Sequence, residues 1–308
     1  MSKLIPERPL YQKERLIVGY PTLAVFVLLF LVRMLGSHVF SAKDSLLLKL
    51  VAVLTVFLLP TVIFLMLRGQ GYGRVLRLRA PRVPHIPFLI AAFFALFCGC
   101  ILLSLLCGGI DSLGNSATAY ETAPAPTPLY GICMAVVLAI LPALLEELFF
   151  RGIVVAEYER RGGIRAVLMS ALLFSLCHFD LHNLPVYLFS GVLFVMVLFA
   201  TDSLFATILL HVLYNIVSLF GQRYLNALYE ITGSIELFLF LLILVFLLSL
   251  LFLFRSGAKL YRTRAQNGQG DPRRDVPWNV QFYTILDALS DPPVTLCVLL
   301  SIAGFIFL

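Results

Sequence analysis

Hydrophobic positions along this chain fall into long unbroken runs, and neither the alternation of a half-buried strand nor the narrow stripe of a soluble amphipathic helix dominates. Runs of roughly 20 apolar residues suit a bilayer, and candidates lie at 16–35, 46–67, 86–107, 129–155, 164–181, 184–201, 203–220 and 235–254. A shorter run at 292–308 is a marginal ninth. The pattern predicts an all-α fold, a polytopic transmembrane helical bundle of roughly eight or nine spans. The first run is longer than a signal-peptide core and reads as the first span.

The polar gaps divide the chain into an N-terminal block over 1–128, a central block over 129–220 and a C-terminal block over 221–308. Between Gly108 and Pro128 there is no basic residue and a Pro-Ala-Pro-Thr-Pro stretch, which predicts an extended external loop. Asn267 to Asp275 reads as a flexible polar linker. Trp278 to Leu289 follows, with Phe282, Ile285, Leu286 and Leu289 at helical spacing, either a surface-lying amphipathic helix or a packed helix cap.

Composition removes the soluble alternative: 60% of residues are hydrophobic, 13% are charged and the mean hydropathy is +0.97. The net charge of +6 does not imply nucleic acid, because the basic residues flank apolar runs and form no single patch. Nineteen of the 23 lysines and arginines fall on one side if every span crosses, and the positive-inside rule makes that side, with the N-terminus, cytoplasmic. The six cysteines include no CxxC pair and set neither a disulfide framework nor a zinc knuckle. No internal repeat is evident, which counts against a transporter built from inverted halves.

Against this background the stretch Leu144 to Arg151, Leu-Leu-Glu-Glu-Leu-Phe-Phe-Arg, stands out. A charged side chain at the centre of a spanning helix costs roughly 2.5–3.5 kcal/mol, so Glu146 and Glu147 should face protein or a wet cavity. Arg151 lies about 40° around the helix from Glu147 and about 140° from Glu146. It should pair with Glu147 and leave Glu146 without a counter-charge on its own helix, as a general base requires.

Two later spans carry groups that match this site. Phe174 to His178 closes the fifth run and His211 to Asn215 lies in the seventh, each pair of end residues four apart on one helix face. From the cytoplasmic helix ends, at 1.5 Å per residue, Glu147 lies roughly 20 Å deep, His178 roughly 21 Å, His211 roughly 12 Å and Asn215 roughly 18 Å. A lone intramembrane histidine or asparagine is ordinarily interhelical glue. Two acids, two histidines and an amide at compatible depth are expensive in a membrane unless they form one polar site. His178 and His182 also have the spacing of a metal pair, but no glutamate follows His178 as HExxH needs.

Glu-Glu-x-x-x-Arg at 146–151, Phe-x-x-x-His at 174–178 and His-x-x-x-Asn at 211–215, in that order on three apolar helices, resemble the CAAX protease and bacteriocin-processing (ABI) family of intramembrane proteases. The resemblance covers about residues 130–220 and implies peptide-bond hydrolysis in an all-helical membrane core. It implies Glu146 as the base for a water, helped by His178, with Glu147 held by Arg151, and His211 with Asn215 at the oxyanion. The partners it implies are membrane lipid and a peptide or protein substrate, membrane-bound or lipidated among the options. No cofactor is expected on this reading. The alternatives are zinc held by the same Glu and His side chains, a non-catalytic membrane scaffold or peptide-immunity protein, and a proton-coupled transporter.

Overall fold

The computed structural model describes residues 17–39, 46–69, 76–108, 127–266 and 278–307. All regular structure among them is helical: α1 Gly19–Val39, α2 Leu46–Arg68, α3 Val83–Gly108, α4 Pro128–Tyr158, α5 Gly163–Leu176, α6 Leu184–Thr201, α7 Leu204–Phe220, α8 Gln222–Thr232, α9 Ile235–Gln266, α10 Trp278–Leu289 and α11 Pro292–Phe307. The external loop and the polar linker expected from the sequence lie almost wholly outside the described residues.

Five helices, α2, α3, α4, α6 and α9, are long and apolar enough to cross a membrane. Two pairs, α7 with α8 and α10 with α11, are bent by 70° and 62°, and counting each as one span gives seven. The protein is a helical membrane bundle, with fewer full-length spans than the apolar runs suggest. One reason is α5, whose 14 residues reach about 21 Å, short of a hydrocarbon core of about 30 Å. It stops at Leu176 because the chain turns there: Cys177, His178 and Phe179 donate their N–H groups back to Leu173, Ser175 and Leu176, and Phe179 takes a left-handed φ of 48°. The span expected over 164–181 therefore ends with His178 in a turn beyond the helix.

The helix carrying the two acids is not a plain α-helix. A proline ring clashes with the carbonyl four residues earlier and leaves it without a donor. In α4 a wide i→i+5 turn over Ala135–Ile140 comes just before Pro142, with Leu141 N–H reaching Val136 O. In α2 the same device, over Leu54–Leu58, precedes Pro60, and each distorted segment packs against the helix that carries the other. A second wide turn in α4, Leu148–Val154, contains Arg151. Such turns inside α-helices are frequent at functional sites.

Helices α4, α5, α6 and α7 form the core, with α1 and α11 packed together beside α5 and α3 lying between α6 and α9. The segment 76–82 is tied across the ends of α4 and α7. Arg77, at φ 53°, donates to both oxygens of Glu159 at 2.7 and 2.8 Å and to Asp202 at 3.0 Å, and its carbonyl accepts from Leu204 N–H. Arg68 pairs with Glu157, and Arg79 with Asp202 at 2.9 Å. Several arginines counted as flanking charges are thus used in ion pairs, and Arg151 and Arg165 are buried in the protein.

Helix α10 buries its more polar side. Gln281, Thr284 and Ala288 are buried against the protein, whereas Phe282, Tyr283 and Leu286 face outward. In a bilayer the apolar side belongs outside, so a soluble-protein rule applied to Phe282 and Leu286 picks the wrong face. Gln281 Oε1 accepts the N–H of Ile164 at 3.3 Å, capping the start of α5 from another helix. The close approach uses Gly162, at φ 136°, where a Cβ would lie 2.3 Å from that same oxygen.

Candidate functional site

Adjacent residues on a helix point about 100° apart, so Glu146 and Glu147 look in different directions. Glu147 is fully buried and turns inward. Its Oε1 accepts from Arg151 Nη1 at 2.9 Å and from His211 Nδ1, also at 2.9 Å. A carboxylate oxygen only accepts, so the His211 ring donates through Nδ1 and its Nε2 is left over. Arg151, also fully buried, donates Nη2 to Gly191 O at 3.2 Å and lies 4.3 Å from the Phe174 ring centre and 4.9 Å from that of Phe194. Guanidinium over aromatic faces is attractive and needs no further hydrogen-bond acceptor.

Glu146 has no ion pair or hydrogen bond among the described residues. It lines a cavity of about 370 Å³ together with His178, His211, Asn215, Tyr187 and Ser190. Four of the six residues singled out by the sequence therefore share one cavity, and the other two, Glu147 and Arg151, sit directly behind it. His178 Nδ1 is 2.7 Å from Phe174 O; a carbonyl only accepts, so this nitrogen too carries the proton, and Nε2 is free. Asn215 Nδ2 donates one N–H to Ala139 O at 3.4 Å, leaving its second donor.

The remaining sequence candidates lie apart. His182 is exposed in the turn before α6, off any helix it might share with His178. Asp180 accepts from Asn183 N–H and Nδ2 at 3.1 and 2.8 Å and organises that turn. The buried Cys177 thiol donates to Phe174 O at 3.0 Å. Among the described residues no group of three His, Cys, Asp or Glu side chains is arranged to hold a metal.

A second cavity of about 250 Å³ adjoins the first, sharing Tyr187, Tyr214 and Ser218, and extends between α3 and the start of α8. No charged side chain lines it. Acid, imidazole and amide line the first cavity, and only neutral groups line the second.

Residues 128–217 match the family model of type II CAAX prenyl endopeptidases, Rce1-like. The match spans α4 to most of α7, the four helices that build the site, and agrees with the resemblance read from the three motifs. The matched segment is thus similar to the core of a family of endopeptidases. Comparisons with curated proteins and with solved structures give no match.

Sequence reasoning missed three residues of this core, all on α6. The Tyr187 ring stacks on His178 with centroids 3.9 Å apart and planes at 17°, and the Phe194 ring stacks on His211 at 4.6 Å and 25°. Gly191 lies close against α5, where a Cβ would be 2.9 Å from Ala171 Cα, and its carbonyl accepts from Arg151. Positions 187, 191 and 194 share a helix face, but in an apolar run that periodicity is indistinguishable from lipid-facing or core packing.

Proposed function

We propose that the protein is an intramembrane endopeptidase that cleaves a peptide bond with a water activated by Glu146. The observation that carries this reading is the division of the two acids. Glu147 is occupied by Arg151 and His211, while Glu146 is the unpaired acid facing the cavity.

The chemistry follows from which atoms are free. His178 Nε2 accepts a hydrogen bond from the attacking water, and Glu146 takes its proton as the oxygen bonds to the scissile carbonyl carbon. The carbonyl oxygen becomes an oxyanion, held by the second N–H of Asn215 and by Nε2–H of His211 in its imidazolium form. In that form Nδ1–H remains on Glu147, and the charges of Glu146, Glu147, Arg151 and His211 sum to zero. Collapse of the tetrahedral intermediate breaks the C–N bond, and Glu146 returns the proton to the leaving amine. Preorganised donors of this kind supply much of an enzyme's rate enhancement.

The substrate on this reading is a peptide or protein held at the membrane, cleaved without a cofactor. The family name makes a prenylated CAAX terminus the first substrate to test. The N-terminus and the basic loops face the cytoplasm. The test compares wild type with Glu146→Gln, at matched membrane levels, by terminal-peptide proteomics and with purified protein on a fluorogenic farnesylated peptide. Loss of a positioned general base should lower kcat by about 10²-fold or more. Wild-type termini unchanged by Glu146→Gln would favour a non-catalytic scaffold.

A further inference from the structure

Helix α6 carries no acid, base or amide of the three motifs, yet both imidazoles of the site rest on it. Tyr187 and Phe194 are seven residues apart, two turns on one face, and each is stacked on a different histidine. Phe174 also lies near both imidazoles, 4.9 Å from His178 with the ring planes at 68° and 6.0 Å from His211 with the planes at 77°. Between the two braces, Gly191 O accepts from Arg151, which in turn fixes the Glu147 oxygen that His211 uses. Ser190, in the same segment, donates its hydroxyl back to Val186 O and leaves the cavity wall neutral.

We propose that Tyr187 and Phe194 are positioning residues, which set the ring planes of His178 and His211 so that each free Nε2 points into the cleft. An imidazole held by an Nδ1 hydrogen bond alone retains rotation about that bond. A near-parallel ring stacked on its face, with Phe174 close by, restricts that rotation. His178 depends most on this, because it lies in the turn beyond the end of α5 and lacks the support of a continuing helix. Tyr187 also stands where the two cavities meet, so the face not covering His178 borders the cleft that a substrate would occupy. This inference rests on the peptidase reading only for its kinetic consequence; the geometry it tests is independent of the reaction.

Two readouts are taken on the full-length protein in detergent. The first is the rate at which diethyl pyrocarbonate modifies His178 and His211, followed by peptide mass spectrometry. Tyr187→Leu should raise the His178 rate several-fold with little effect at His211, Phe194→Leu should do the converse, and Tyr187→Phe should behave as wild type. The second is steady-state cleavage. Displacing a reacting group by about 1 Å can lose 10²-fold in rate, so Tyr187→Leu should lower kcat by roughly 10- to 100-fold with KM and melting temperature nearly unchanged, and Tyr187→Phe should restore it. Modification rates that do not change, or that change without any loss of kcat, overturn the proposal. Glu146→Gln is assayed in parallel: if it cleaves as well as wild type the peptidase reading fails, while the modification experiment still decides whether α6 braces the histidines.

Discussion

Arg151 offers the sharpest test of how the core is held together. Its guanidinium and the Glu147 carboxylate are both fully buried, and Arg151→Met keeps most of the side-chain volume while removing the charge and both donated hydrogen bonds. Glu147 would then hold its charge with His211 as its only partner. Breaking a buried ion pair from one side costs about 3–5 kcal/mol, against about 0.6 kcal/mol for an average interhelical hydrogen bond in a membrane protein. The two magnitudes separate the explanations. At roughly 2–4 °C per kcal/mol the first predicts a melting temperature lower by roughly 6–20 °C, the second a change of a degree or two. The assay is thermal loss of the monodisperse peak for a fluorescent-protein fusion in detergent. Replacing both partners, Glu147→Met with Arg151→Met, should recover much of the loss, because a buried pair exchanged for apolar groups is often neutral or stabilising. Catalysis should not return with it, since His211 Nδ1 would have lost its acceptor. A single variant that melts with wild type, or a double variant no more stable than the single, would refute the view that the buried Glu147 depends on Arg151 for its stability in the core.

Three further outcomes follow from the same geometry. Asn215→Ala should lower kcat by about 10²–10³-fold, as loss of one oxyanion donor does elsewhere, with little change in melting temperature. Gly191→Ala places a Cβ 2.9 Å from Ala171 Cα, a backbone atom that cannot swing aside; separating α5 from α6 should cost about 1–3 kcal/mol, read as a lower melting temperature. Gln281→Leu removes the acceptor for Ile164 N–H and should cost about 1 kcal/mol, as loss of a helix cap does, with faster hydrogen exchange in the first turn of α5.

What the sequence made legible was whatever a membrane makes expensive. Charges and imidazoles inside apolar runs need partners, and i, i+4 spacing identified one pair, Glu147 with Arg151, that the fold contains. The depth estimate placed His178, His211 and Asn215 in a slab with the acids, and they line one cavity with Glu146. The contact between His211 and Glu147 was not legible, because it joins residues 64 apart and depends on how α7 meets α4. Nor were the stacked rings of α6, since an aromatic in an apolar run carries no sign of whether it meets lipid or an imidazole. The early end of α5 turned on the left-handed Phe179.

These failures and successes share a cause that also bears on mechanism. A catalytic carboxylate next to a structural one would ordinarily be a liability, because two like charges on neighbouring residues disfavour each other's ionised form. The helix resolves this by geometry: a separation of about 100° sends one acid to a cation and the other to a cavity. Glu147 is committed on Oε1 to both Arg151 and His211, while Glu147 Oε2 and Arg151 Nε stay buried without a hydrogen-bond partner among the described residues. His178 spends Nδ1 on Phe174 O, Asn215 one N–H on Ala139 O, and Arg151 Nη2 on Gly191 O. On the four motif residues that line the cavity, what remains unspent is one carboxylate, two imidazole Nε2 atoms and one amide N–H. Those are the groups needed to hold a water, take its proton and receive an oxyanion, and the backbone carbonyls and aromatic faces that occupy the others come from helices α4, α5 and α6. The reactive set is therefore selected by what the rest of the core has already bound.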